Sequence, residues 1–392
     1  MDYLTFINRT AKSDPAAPPI QFLVSGNDAV VRSHVFRDII CRCRENSQAI
    51  VVIDDTGTMD SVGCRILASS GYRIKSGMAG GYCLYNPFTI GTMKEVSRLR
   101  QLLSTFEWDE KQKGKLLSYL SLIRHIECIR NVSHAPALTP EKITEYSTVL
   151  AMEEHLQSLV EAGLIDERQR MALLAKYAEC CSAAADLEDL LPVLIPFIKG
   201  EKIAPNKTNA PQALWFCTGE LGEDETIRTM AIQLIQFSLE EKSGENITLI
   251  VFDRGIGNRK CILDLLKTMP EHIKTHVLSE DIFTLCDPST LAMILNRFNT
   301  RIYGRHLAME SCEAIEKACG AMDVVKNSYQ VTYDRRWAAN RPWDILMGNN
   351  KTESYTQTAP AREPRYRKEM IMNLAAGSGI VEFMGNTSVF TI

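Results

Sequence analysis

FLVSGNDAVVRS, residues 22–33, decides how the chain is read. An apolar run ends in a glycine, and the spacing predicts a helix that begins about six residues later, near residue 32. That is the layout of a phosphate-binding loop, whose pattern is G-x-x-x-x-G-K-[ST]. Gly26 fits the first glycine and Ser33 the closing hydroxyl, but Val31 stands at the second glycine and Arg32 at the lysine. A working loop curls its backbone around the phosphate with its N–H groups pointing inward. Val31 is β-branched and resists positive φ, so its side chain would crowd such a site. Arg32 keeps the charge on a longer, planar group that replaces a compact ammonium poorly. Ser33 retains a hydroxyl that could reach a magnesium ion. Three readings stand open: a nucleotide site, a decayed one, or a strand–turn–helix that never held phosphate.

The surroundings narrow the fold. Residues 20–26 and 49–55 read as buried strands, 32–45 and 60–70 as helices, and 71–77 as a third strand. In 32–45, Val35, Ile39, Ile40 and Cys43 share one helical face. Continuous apolar strands separated by helices indicate a parallel sheet. The same alternation returns after residue 212, with strands at 213–219, 247–253, 272–279 and 300–305. Helices are expected there at 224–242, 259–268, from Asp287-Pro288 to about 297, and at 309–320. Residues 94–200 lack strand signals; amphipathic stretches such as 115–129, and a Thr139-Pro140 helix start, predict four to six helices. Neither α/β part has enough strands for a good sheet alone. The expected organisation is a lead-in (1–19), one discontinuous α/β domain (20–93 and 212–392), an inserted all-α domain (94–200) and a polar linker (201–211). Near the end, a short helix, a Gly-rich turn and a last hairpin strand are expected.

Composition excludes several classes. The chain has 392 residues, 45% apolar and 23% charged, with a net charge of −4, so no overall positive field invites nucleic acid. The polar tail, 334–368, carries Arg335, Arg336, Arg341, Arg362, Arg365 and Arg367 among aromatic residues. Asp334, Asp344, Glu353 and Glu363 dilute that charge, which favours a solvated or partner-facing tail over base stacking. Twelve cysteines without any C-x-x-C pair suggest buried thiols in a reducing cytoplasm. The first residues lack a signal-peptide layout, and no apolar run is long enough to span a bilayer. A soluble cytoplasmic chain is expected, held at a membrane only through a partner. His272 and His276 lie four apart, but outside any long helical pattern, so no metal is expected.

Acidic strand ends supply the remaining candidates. ITLIVFDRG, 247–255, ends an apolar strand in Asp253, where a nucleotide hydrolase holds magnesium through water. Translocating ATPases follow that aspartate with a glutamate; here Arg254 follows, which cannot accept a proton and could pair with a neighbouring carboxylate. Asp54 and Asp55 end another strand, as an acid–base pair or as solvated capping residues.

In order of parts, the chain resembles the coupling-protein ATPases of conjugation and type IV secretion, the TraG/TraD type. SGNDAVVRS, VVIDDTG, ILASSGYRI and CLYNPF (with Tyr85-Asn86-Pro87) stand in that family's order. An all-α insertion, ITLIVFDRGIGN, and LAMILNRFNTRIYGR then follow, and NLAAGSGIVEF is similar to the closing strand. The resemblance implies a RecA-like fold, ATP with magnesium, a hexamer, and a helical domain facing DNA or cargo. The chain departs from it at Val31 and Arg32, at Arg254, at Ser279 where a γ-phosphate-sensing glutamine is usual, and in lacking the N-terminal membrane anchor. The expectation is a catalytically degenerate member that recruits substrates or scaffolds protein partners, with no cofactor, or ATP and magnesium only weakly. DNA is not indicated by charge. The rival is an active hexameric translocase of DNA or protein. In it Arg32 would contact phosphates, Ser33 and Asp253 would hold magnesium, and Asp54 or Asp55 would act as base.

Overall fold

The computed structural model describes residues 2–12, 19–55, 61–76, 82–83, 85–131, 138–198, 201–202, 212–221, 224–241, 246–254, 259–270, 272–332 and 353–392. The chain opens with helix α1 (Tyr3–Lys12), then β1 (Phe22–Ser25), α2 (Ala29–Glu45), β2 (Ala49–Asp54), α3 (Ser61–Ser69), β3 (Arg73–Ser76) and a two-residue β4 (Tyr82–Cys83). Six helices follow: α4 (Met93–Leu103), α5 (Glu110–Arg130), α6 (Pro140–Thr144), α7 (Val149–Glu161), α8 (Glu167–Cys180) and α9 (Ser182–Ile198). The return runs through β5 (Glu201–Lys202), β6 (Gln212–Cys217), α10 (Glu225–Glu241), β7 (Ile247–Asp253), α11 (Arg259–Thr268), β8 (Lys274–Ser279), α12 (Ile282–Leu285), α13 (Leu291–Arg297), β9 (Thr300–Tyr303) and α14 (Met309–Ala318). The chain closes with β10 (Ala321–Thr332), β11 (Glu353–Pro364), α15 (Lys368–Met372), β12 (Ser378–Phe383) and β13 (Asn386–Thr391).

Nine of these strands form one sheet, in the order β13-β12-β9-β1-β8-β7-β2-β6-β3. From β9 to β3 every pairing is parallel; the β12–β13 hairpin adds antiparallel to β9. Strands from both ends of the chain interleave in it, as the similar apolar runs on either side of the helical stretch require. Alternate residues of each central strand enter opposite cores. Phe22, Val24, Val52 and Leu278 pack beneath α1, α2 and α3. Leu23, Val51, Ile53 and Val277 face α10 and α11. That second core continues without a break into α4–α9, so the helical stretch shares apolar contact with the sheet.

Five of the six helices, α4 to α8, start at side-chain caps. Thr92 with Glu95, Asp109 with Gln112, and Asp166 with Gln169 form reciprocal capping boxes, while Thr139 caps α6 with Pro140 in the first turn. Tyr85-Asn86-Pro87 joins them to the sheet. Asn86 accepts from the Phe88 N–H at 3.0 Å and donates to the Leu138 carbonyl at 2.7 Å. Arg98 on α4 completes the junction. Its guanidinium lies 5.0 Å from the Tyr85 ring and 5.3 Å from Phe237 on α10, and it pairs with Glu240 and Glu241 at 2.8 and 3.0 Å.

Several elements depart from the sequence reading. The lead-in contains α1, which buries Tyr3 and Ile7 and ties the Tyr3 hydroxyl to the Asp38 carboxylate. The helix expected from Asp287 begins at Leu291, because Asp287 to Thr290 close a hydrogen-bonded turn first. The polar tail, read as solvated or partner-facing with no element assigned, supplies β11. Residues 203–211 of the linker, and Arg335, Arg336 and Arg341, lie outside the described residues. Among the described residues no helix is long and apolar enough to cross a membrane.

Candidate functional site

The carboxyl ends of β1, β8, β7 and β2 lie side by side, Ser25 beside Ser279, Ser279 beside Asp253, and Asp54 beside Phe252. In open α/β sheets ligands bind at this edge. The candidate residues therefore belong to one region, and the local geometry decides what they do.

Helix α2 begins at Ala29, three residues before the position the spacing predicts. Asp28 causes the early start: its carboxylate Oδ1 accepts from the Val30 and Val31 N–H groups at 2.9 and 3.2 Å. Its other oxygen accepts from the Gly377 N–H at 2.7 Å, on the turn before β12. Val31 is thus a first-turn helical residue with its side chain in the core, not a loop residue crowding a ligand. Two helix N-terminal amides and a third from Gly377 converge on one nearly buried carboxylate. An anion already occupies the position that a phosphate-binding loop would offer to its ligand.

Gly26 is required here for a different reason. Its φ is +140°, and a Cβ on it would lie 2.8–3.0 Å from the backbone of Gly304. The turn is sewn to the exit of β9: Gly304 N–H donates to Ser25 O at 2.8 Å, and Asn27 N–H to Arg305 O at 2.8 Å. Arg32 folds back onto the Gly26 carbonyl and pairs with Glu280 at 3.2 Å. Beside them His306 is wholly buried, with Nδ1 2.9 Å from the Gly304 carbonyl and Nε2 2.8 Å from the Ser25 hydroxyl. A proton on Nδ1 serves the carbonyl, which leaves Nε2 to accept from Ser25. Burial lowers the pKa of His306, against smaller raising effects of the Gly304 carbonyl and Asp281. Ser25 and His306 have the geometry of a nucleophile and base, but both are 0% exposed, so the pair positions the turn instead.

Asp253 is buried at the end of β7, where one carboxylate oxygen lies 2.8 Å from the Ser279 hydroxyl and 2.7 Å from that of Thr284. Ser279 stands at the end of β8, the strand between β1 and β7. Arg254 gives its backbone N–H to both oxygens of Asp55, each at 3.0 Å. Asp54 accepts from the Trp215 indole N–H at 3.3 Å. Both aspartates are at most 1% exposed, which corrects their reading as solvated capping residues. Their carboxylates are held by donors from neighbouring strands.

Ser33 lies elsewhere. It lines a cavity of about 620 Å³ between α2 and α3, with His34, Arg37, Val62 and Arg65. Because α2 starts early, Ser33 is a turn further along the helix than a magnesium-binding hydroxyl would be, and no contact joins it to Asp253 among the described residues. No group of three His, Cys, Asp or Glu residues among them is arranged to hold a metal ion. Sequence reasoning missed Asp28, Ser25, Gly304, His306 and Gly377. Only Asp28 had a local signal, an N-cap residue before a helical run.

No family model matches this chain, and no curated protein matches it. Solved structures do. The plasmid coupling protein TrwB in complex with the non-hydrolysable ATP analogue ADPNP aligns with 99% of this chain and 91% of its own, at 12% identity and a TM-score of 0.54. TrwB in complex with ADP and Mg2+ aligns over the same shares at 12% identity and a TM-score of 0.52. VirB4 of Thermoanaerobacter pseudethanolicus aligns with 95% of this chain and 88% of its own, at 11% identity and a TM-score of 0.51. Identity this low speaks to architecture alone: a mainly parallel sheet carrying a large helical excursion, the RecA-like fold of the conjugative coupling protein TrwB and of VirB4, is the fold of this chain.

Proposed function

We propose that this chain is a coupling-protein-like component of a type IV secretion or conjugation-type assembly that has kept the motor's fold without its nucleotide cycle. In this reading it recruits or scaffolds protein substrates and partners, and residues 94–200 are the all-α domain that meets them. It works at the cytoplasmic side of a membrane complex through those partners, either within a hexameric ring or beside one.

The filled turn after β1 is the observation that carries the reading. Asp28 takes the amides that would cradle a phosphate, and Gly304 packs against Gly26 where the loop would have to open. Arg32 and Asp253 are engaged with protein partners, and the Arg254 amide holds Asp55. Residues so arranged do not fit an ATP–magnesium group, so no hydrolytic step is assigned to them.

The rival, an ATP-driven translocase with an atypical loop, draws its support from the nucleotides in the TrwB complexes. A titration of a fluorescent ATP analogue, with and without magnesium, separates the two. The expected result is no saturable binding at concentrations where P-loop ATPases saturate. Magnesium-dependent binding or hydrolysis that is lost in Asp253→Ala would favour the translocase and sink the proposal.

A further inference from the structure

Strands β10 and β11 form a ribbon of twelve facing pairs that, among the described residues, joins no other sheet. At about 3.3 Å per residue it reaches about 40 Å. Its pairing contacts are the only extensive ones either strand makes among the described residues. Such a ribbon is marginal in water without a further strand or layer.

Its two outer edges are not equivalent. The Arg365 N–H donates to the Gly320 carbonyl at 2.9 Å, just beyond the terminal pair Ala321 and Pro364. Gly320 and Arg365 are therefore a hydrogen-bonded pair, and alternation along an antiparallel ladder makes Ala321–Pro364 and Val325–Pro360 non-hydrogen-bonded. Both prolines thus occupy positions whose backbone nitrogen faces outward. They break no bond inside the ribbon, yet they remove donors from the outer edge of β11, a common way to protect an exposed edge. The outer edge of β10 is formed by Ala321, Asp323, Val325, Asn327, Tyr329 and Val331. It has no proline, and each of these residues turns both its N–H and its C=O outward.

We propose that the open edge of β10 pairs antiparallel with β10 of a second copy of this chain, giving a four-stranded ribbon around a two-fold axis at Asn327. An axis perpendicular to the ribbon keeps the two faces aligned only when opposing residues have the same parity, and this register satisfies that condition. Asp323 then faces Val331, Val325 faces Tyr329, and Lys326 faces Ser328, so no like charges oppose each other. A register centred on Lys326 would oppose two lysines, and one centred on Asp323 two aspartates. The Asn327 register runs from Met322 to Thr332 and allows about ten backbone hydrogen bonds. Dimerisation of this kind does not depend on whether nucleotide binds at the β1–α2 turn.

Sedimentation equilibrium on the full chain tests the proposal. The wild type should dimerise with rising concentration. Asn327→Pro puts a proline at an outward position, as Pro360 and Pro364 already are, and should weaken dimerisation at least about tenfold. Thr356→Pro, outward on the already blocked β11 edge, should leave it within about twofold. A wild type that stays monomeric, including one whose edge takes only a foreign strand, overturns the proposal. So does an Asn327→Pro variant that dimerises normally, or a Thr356→Pro variant weakened to the same degree. Hydrogen exchange needs no variant. The amides of Val325, Asn327 and Tyr329 should exchange more slowly at high than at low protein concentration, while those of Thr356 and Thr358 do not change. Equal exchange of the β10 amides at both concentrations also refutes it.

Discussion

Replacing Asp28 by alanine tests what the β1–α2 turn is for. The substitution removes the cap from α2, a loss of about 1 kcal/mol. It also strands the buried Gly377 N–H, which now donates to Asp28 at 2.7 Å, at a cost of about 1–3 kcal/mol. Together the expected destabilisation is about 2–4 kcal/mol, read as a lower urea midpoint with an unchanged slope. Asp28→Asn should cost roughly half as much, since its amide can serve the helix amides or Gly377 but not both. Sulfate supplies a sharper readout. With the carboxylate gone, three amides converge on empty space at a helix N-terminus, so added sulfate should return part of the lost stability to Asp28→Ala and none to the wild type. A variant as stable as the wild type would mean that the carboxylate holds nothing, and the argument for a self-filled turn would fail with it.

Other substitutions probe the neighbouring contacts. Gly26→Ala forces a Cβ to within 3.0 Å of Gly304 at a φ of +140° and should cost about 3 kcal/mol or more, whereas Gly304→Ala, whose Cβ meets Asp28 at an ordinary 3.6 Å, should cost under about 1 kcal/mol by urea denaturation. Arg98→Met takes the cation from Glu240 between α4 and α10, leaving it only the Gln236 amide, and should lower stability by about 2–4 kcal/mol, with faster proteolysis of the helical stretch as a second readout. Burial lowers the pKa of His276 to about 3, and the neutral ring accepts the Phe22 N–H at 3.1 Å. The unfolded chain therefore binds a proton there that the folded chain refuses, and stability falls as pH drops from about 6.5 toward 3, by at most about 1.4 kcal/mol per pH unit for this group. His276→Leu should be less stable than the wild type at pH 7, with the gap narrowing on acidification; a gap that widens would refute the assignment.

The parallel strands were legible because burial on both faces leaves no room for polar residues, so ITLIVFD and AIVVID read as strands without help. The helices between 93 and 198 were legible for another local reason, the amphipathic spacing of stretches such as 115–129 and the Thr139-Pro140 helix start, while the caps at Thr92, Asp109 and Asp166 went unread. The site was less so. Val31 read as loop because the phosphate-loop template was laid over a turn that ends three residues sooner. What shortens the turn is partly local, the Asp28 cap, and partly remote. Gly377, which takes the second oxygen of Asp28, is 349 residues away, and Gly304, which closes on Gly26, belongs to another strand's exit. No spacing within one segment reports such meetings. The ribbon escaped notice because the sequences of its two strands, 321–332 and 353–364, carry no regular apolar alternation to find.

The smallest sheet among the described residues has a large consequence. Tyr82 pairs with Glu201 and Cys83 with Lys202, so the chain leaves for its helical excursion and comes back at the same spot. The entropic penalty of a closed loop grows only with the logarithm of its length, and this closure is held by β4 and β5 beside the pairing of β3 with β6 in the nine-stranded sheet. Helices could be added between these two strands, shortened or exchanged without shifting the pairing of β3 with β6, provided that the replacement still covers Tyr85 and Phe237. The part of the molecule best placed to vary is thus closed at its base by paired strands, and the frame that carries it can stay constant while the surface of its helices changes.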